Sequence, residues 1–159
     1  MTEQQFIQNV ESCQKAVRRF LIALCCGDPA LADDLAQETF VKAFLSCDNF
    51  HDNSKFTTWI YRIAYNTFLN HKRSCKYTES LDTACDLAAT ERSDDKFEYQ
   101  PLYDAMERLS PKERMAILLH YMQGYAVDEI AEITESSLEA VKQQLSRGRK
   151  HLKVLLTEE

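Results

Sequence analysis

Glu139, Lys142, Gln143, Arg147 and Lys150 lie one to four positions apart. These are side-chain types that can read duplex nucleic acid: carboxylate and amide groups for base edges, cations for phosphates. The surrounding stretch, SSLEAVKQQLSRGRKHLK (residues 136–153), adds Arg149 and Lys153 and holds one acid, Glu139, in a chain of formal net charge -6. On a helix turning ~100° per residue, Leu138, Val141, Leu145, Leu152 and Leu155 form an apolar stripe. Glu139, Gln143, Arg147 and Lys150 point away from it, with Lys142, Arg149 and Lys153 on its flanks. Upstream, VDEIAEITESS supplies a short amphipathic helix and a brief turn, so the whole predicts a helix-turn-helix. Two features depart from the usual pattern. The turn is Thr134-Glu135, without glycine, and Ala126 offers the short helix no side-chain cap. Ser136 with Glu139 three residues on predicts a capping box at the start of the long helix.

Two further stretches carry chemistry. In KFTTWIYRIAYNTFLNHKRS (55–74), Phe56, Trp59, Ile60, Ile63, Ala64 and Thr67 make one broad stripe, and Tyr61, Arg62, Tyr65, Asn66, Lys72 and Arg73 the other side. Aromatics interleaved with cations suit stacking of unpaired bases. Packing of Tyr61 and Tyr65 on a neighbouring helix is the competing possibility. In DPALADDLAQETFVKAFLSC (28–47), Asp33, Asp34, Gln37 and Glu38 share a helical face into which Val41 and Leu45 are set. An acidic face with apolar inserts fits a basic protein partner; a merely solvated face competes with that, and no histidine or further acid completes an acid/base or metal site.

The elements that must position these residues are helical. Gly and Pro number three each in 159 residues, hydrophobic residues make up 45%, and Ala, Leu, Glu, Lys and Gln recur periodically, which predicts an all-α fold. A first amphipathic helix over 5–26 carries Phe6, Val10, Cys13, Val17, Leu21 and Leu24. Asp28-Pro29 opens a second, running to about Cys47, and a third runs from about Thr57 to Arg73. Residues 78–100 hold Glu79, Asp82, Asp86, Glu91, Asp94, Asp95 and Glu98 against Arg92 and Lys96, a flexible acidic linker by composition. Ser110-Pro111-Lys112-Glu113 predicts a capped helix start, and Gln123-Gly124-Tyr125 its end. The expected architecture is two small helical domains, 1–77 and 101–159, joined by the 78–100 linker. The six cysteines, Cys13, Cys25, Cys26, Cys47, Cys75 and Cys85, contain no CxxC, and the four histidines no ligand spacing, so free thiols are expected, with redox or metal sensing at the vicinal Cys25-Cys26 pair as the alternative. No segment approaches the ~20 apolar residues of a membrane span, and the N-terminus has no signal-peptide pattern. A cytoplasmic protein without direct membrane insertion is expected.

Together, LADDLAQETFVKAF, FTTWIYRIAYNTFLNHKRS, LSPKERMAILLHYMQGYAVDEIAEI and EAVKQQLSRGRKHL resemble, in order, the segments of extracytoplasmic-function sigma factors of bacterial RNA polymerase. The resemblance covers nearly the whole chain outside the linker. It implies a non-enzymatic initiation factor without cofactor or metal, whose partners are core RNA polymerase and promoter DNA. Asp33, Asp34, Gln37, Glu38 and Val41 would dock on the polymerase. Asn53, Ser54, Lys55, Trp59, Arg62, Asn66 and Arg73 would melt the -10 element and hold its single strand. Ser137, Glu139, Lys142, Gln143, Arg147 and Lys150 would bind the duplex -35 element. It further implies an anti-sigma protein as inhibitor. A free-standing helix-turn-helix regulator and a sigma-like decoy that captures an anti-sigma protein are the alternatives. Under the resemblance the acidic balance belongs to the linker and the polymerase-facing helix, and the basic charge lies where DNA would run.

Overall fold

The computed structural model describes residues 1–50, 55–79 and 100–157. Among them are seven α-helices and no strand: α1 (Glu3–Leu24), α2 (Pro29–Leu45), α3 (Phe56–Glu79), α4 (Gln100–Glu107), α5 (Pro111–Ile117), α6 (Val127–Thr134) and α7 (Leu138–Thr157). The all-α expectation holds. A 3-10 turn at Cys47–Asn49 follows α2, and a π-helical segment at Leu118–Met122 continues α5. Most of the acidic 78–100 segment lies outside the described residues. At its edges, α3 runs six residues past the expected end at Arg73, and α4 begins at Gln100.

The helix starts follow local chemistry. Asp28 accepts from the Leu31 N–H at 3.2 Å with Pro29 at the first helical position, and Ser110 accepts from the Glu113 N–H at 3.2 Å ahead of Pro111. The Glu113 carboxylate, expected to complete that box, instead meets His151 Nδ1 at 3.0 Å. Thr2 and Gln5 form a reciprocal capping box that opens α1, a signal present in the sequence as T-x-x-Q.

Helices α1, α2 and α3 pack on one another, and α4, α5, α6 and α7 form a second unit. The two share a continuous core. Phe20, Leu21, Leu24, Leu35, Ile60 and Phe68 bury on one side, and Met115, Leu119, Ile130, Ile133 and Val141 on the other, each large side chain stabilising the fold by about 1.5–3 kcal/mol. α3 packs on α6, and α1 on the π-helical segment. The seam holds one buried cation, Arg114 of α5, at 2% exposure. Its guanidinium donates to the carbonyls of Met106 (2.9 Å), Leu24 (2.9 Å), Glu107 (3.3 Å) and Leu109 (3.3 Å). A charge can be buried there because its N–H groups are satisfied.

Candidate nucleic-acid interface

α7 carries its side chains on a buried rail. Val141, Leu145 and Gly148 are its buried residues, while Leu138 is 49% exposed, so the apolar stripe starts one turn later than its spacing predicts. Gly148 is where α7 comes closest to α5: a Cβ there would lie 2.9 Å from Ile117 Cγ1 and 3.2 Å from its Cδ1. Ser137, Glu139, Lys142, Gln143, Arg147 and Lys150 are all exposed. The helix is capped by Ser137, not Ser136: the Ser137 hydroxyl accepts from the Ala140 N–H at 3.1 Å. One expected base contact is thereby occupied in holding the helix start. The turn before it solves its missing glycine with strain. Glu135 sits in the left-handed region at φ 53°, ψ 41°, which costs a non-glycine residue about 1–2 kcal/mol. Ala126 gives α6 no side-chain cap, as expected.

α3 presents a second polar stripe. At ~100° per residue, Lys55, Trp59, Arg62, Asn66 and Arg73 fall within about 40–60° of one another along the helix. Lys55, Asn66 and Arg73 are exposed. Trp59 is half-buried, its ring 5.0 Å from Phe50 and 5.7 Å from Phe56. Arg62 reaches the other unit, with Nη2 donating to the Glu132 carbonyl at 2.7 Å. Asn53 and Ser54 lie outside the described residues. The tyrosines of this helix face inward: Tyr61 and Tyr65 are 2% and 5% exposed, so they are not available as a stacking platform. Tyr61 stands edge-on to Phe20 at 5.0 Å and to Tyr125 at 5.6 Å. Burial pushes both the Tyr61 and Tyr65 phenols up from their ordinary value.

On α2, Asp34, Gln37, Glu38, Val41 and Leu45 form an exposed strip, Val41 at 58% and Leu45 at 77%. Asp33 departs from the expected face. It turns to α1, where Arg18 Nε donates to its Oδ1 at 2.7 Å. Glu38 pairs with Lys42 at 3.0 Å within the helix. The described cysteines are free thiols, with Cys13 and Cys26 buried. Burial pushes Cys13 up to about 11 and Cys25 up to about 12, which keeps both protonated and poorly nucleophilic near neutral pH. Among the described residues no group of three His, Cys, Asp or Glu side chains could hold a metal ion, and no helix is long and apolar enough to cross a membrane. Cys85 lies outside the described residues.

Sequence reasoning assigned no role to Arg114 or Gly148, read Gln123 and Tyr125 only as part of a helix end, and did not find the conformation of Glu135. The signal that could have found Arg114 is a cation directly before the apolar run Met115–Leu119. Gly148 lies among Arg147, Arg149 and Lys150, and a glycine carries no apolar side chain by which periodicity could mark it as buried.

Two modules stand in order along the chain. Residues 10–76 match Sigma-70 region 2 and residues 99–152 match Sigma-70, region 4. Such a pair, with one face on a long helix in each, defines a promoter-recognition subunit of RNA polymerase, a non-enzymatic initiation factor. The ECF RNA polymerase sigma factor SigW of Bacillus subtilis (strain 168) is 31% identical over 144 residues, covering 80% of this chain and 76% of its own. The RNA polymerase sigma-H factor of Pseudomonas aeruginosa is 27% identical, covering 94% and 92%. Among solved structures, a chain of the co-crystal of the sigma factor RpoE with the anti-sigma factor NepR from Bartonella quintana superposes with TM-score 0.78 at 26% identity, covering 97% of this chain and 98% of that one. The complex of CnrH with the cytosolic domain of CnrY shares the fold, with TM-score 0.75 at 24% identity over 99% of this chain and 91% of that one. The chain belongs to the extracytoplasmic-function sigma factors, which bind core RNA polymerase and direct promoter-specific initiation.

Proposed function

We propose that residues 1–77 dock on core polymerase and hold the melted -10 strand, that residues 101–159 bind the duplex -35 element, and that the 78–100 segment links them. The polymerase face is the exposed strip of α2, with Asp34, Gln37, Glu38 and Val41 outward and Asp33 bound to Arg18. Lys55, Trp59, Arg62, Asn66 and Arg73, with Asn53 and Ser54 before them, take the single strand. Capturing a base out of the stack costs about a few kcal/mol, which stacking on the Trp59 cluster and polar contacts offset. On α7, Lys142, Arg147 and Lys150 meet phosphates while Glu139 and Gln143 face base edges, and Ser137 keeps the helix start in register. The chain works in the cytoplasm, where the polymerase is, and an anti-sigma protein holds it inactive.

One observation carries this proposal. The described residues expected at the -10 element lie along one face of α3 or at its start, and those expected at the -35 element, Ser137 at the cap aside, lie on the side of α7 away from its buried residues. Purified protein added to sigma-free core polymerase with fragmented genomic DNA tests it, with the transcripts sequenced. Discrete starts sharing spaced -35 and -10 elements are expected. Binding to core without specific starts would indicate a decoy, and absence of core binding a free-standing regulator.

A further inference from the structure

Three of the described cysteines meet at one cavity of about 410 Å³. Cys25 and Cys26 line it from the turn after α1, and Cys75 lines it from the second half of α3. None of its lining residues is among those proposed to meet polymerase or DNA. Cys75 is set apart by its neighbours. Its Sγ lies 3.3 Å from His71 Nε2, one turn back on α3. An imidazole at that distance can take the thiol proton and, once charged, hold the thiolate. Lys72 and Arg114 add two cations to the wall against one acid, Glu107. Both Cys75 and His71 are half-buried, so small solutes reach them through the cavity.

The vicinal pair is placed differently. Burial first, and then the Asp28 charge, push Cys25 up to about 12, so it is not the attacking sulfur near neutral pH. The pair stands in a turn, where Cys26 and Gly27 lie at positive φ, 55° and 86°. A non-glycine residue there is strained, and a turn can shift where a helix cannot. We propose that this cavity is a hydroperoxide site, in which Cys75 is the sulfur oxidised and a thiol of the Cys25-Cys26 pair closes a disulfide onto it. His71 takes the Cys75 proton, and the thiolate attacks one peroxide oxygen. The S–O bond forms as the O–O bond breaks, and the leaving alkoxide takes the proton back from His71. Sulfur is oxidised to sulfenic acid and the peroxide reduced to an alcohol. A thiol of the pair then attacks the sulfenic sulfur; the S–S bond forms, the S–O bond breaks, and hydroxide leaves with the attacking thiol's proton as water. Two thiols and one hydroperoxide thus give a disulfide, an alcohol and water.

The test uses the full chain carrying Cys85→Ser, so that the thiol outside the described residues takes no part. The reduced protein is treated with hydrogen peroxide, remaining thiols are alkylated at intervals, and the peptides are mapped by mass spectrometry. Cys47 is the internal standard: it is also half-buried and does not line the cavity. Cys75 is expected to be consumed about tenfold faster than Cys47, with peptides joined through Cys75 and the pair. His71→Asn should lower that ratio about fivefold and leave the Cys47 rate unchanged. With Cys25→Ser and Cys26→Ser together, the sulfenic acid should persist on Cys75 and be trapped by dimedone. Cys26 is buried, so circular dichroism checks that this variant keeps its helices. Should it unfold, Cys75→Ser alone decides: the pair should then stay reduced under the same treatment. Oxidation of Cys75 no faster than of Cys47 would overturn the proposal. So would an oxidised Cys75 without a bridge to the pair, or a pair that oxidises as fast without Cys75.

Discussion

α3 and α7 are both long helices with a basic face opposite an apolar one, yet they stand differently toward their targets. The five residues of α7 expected to face DNA, and Ser137 at its cap, are exposed, and the helix is pinned from behind by Val141, Leu145 and the close approach at Gly148. The stripe of α3 is partly engaged, with Trp59 packed edge-on or tilted against Phe50 and Phe56 and Arg62 bound to α6. Under the proposed roles the difference follows from the substrates. A duplex groove is a preformed surface, read by a rigid helix that needs no rearrangement. A single strand must be extracted and held, which takes aromatic and cationic groups that also make good protein contacts. Side chains suited to capturing an unpaired strand are the ones another helix can occupy.

The largest effect expected to break the comparison is at Arg114, which holds both units together. Arg114→Ala leaves the carbonyls of Leu24, Met106 and Leu109 without this donor. It should destabilise the chain by about 3 kcal/mol, read as a lower denaturant midpoint in circular dichroism. Next come the α7 cations. Lys142→Ala and Arg147→Ala should each weaken binding of a -35 duplex by about 1–3 kcal/mol, and a residue that meets only phosphate should also reduce the salt slope by about 1. The same changes should leave transcription from a pre-melted template with a tethered polymerase nearly intact, which separates α7 from α3.

Gly148→Ala tests how rigidly α7 is held. Its new methyl meets Ile117 Cγ1 at 2.9 Å, so a net loss of about 1 kcal/mol in thermal or chemical unfolding is expected despite better helix propensity. Ile117→Val, which removes the Cδ1 atom, should recover part of it. The smallest effect sharpens the comparison at the turn. Glu135→Gly relieves the left-handed strain at φ 53° and should stabilise the chain by about 1 kcal/mol, while also removing the carboxylate that faces Arg62. A variant more stable to denaturant and less compact in scattering would show fold stability and domain closure moving in opposite directions.

Helix identity and order were legible in the sequence because they rest on local signals. The 3.6-residue periodicity marked each amphipathic segment, Asp28-Pro29 and Ser110-Pro111 marked two starts, and Gly124, at φ 76°, marked one end. The outward side of α7 could be assigned the same way, since its apolar residues had to face inward. The buried state of Tyr61 and Tyr65 could not, because an aromatic stripe suits a base as well as a core. The cap at Ser137 instead of Ser136 depended on which serine the strained turn at Glu135 delivers to the helix start.

The sequence by itself determined an all-α chain with a basic C-terminal helix, a helix with an acidic face and an aromatic-cationic helix between them, because nearest-neighbour periodicity and capping are short-range. Only the tertiary structure decided that the two units share a core and that Arg62 and Arg114 cross it. The partners of those arginines are backbone carbonyls 70 and 90 residues away. A carbonyl is present at every position in the chain, so no residue type announces it. Only the packed helices determine which one is left free at a helix end and within reach.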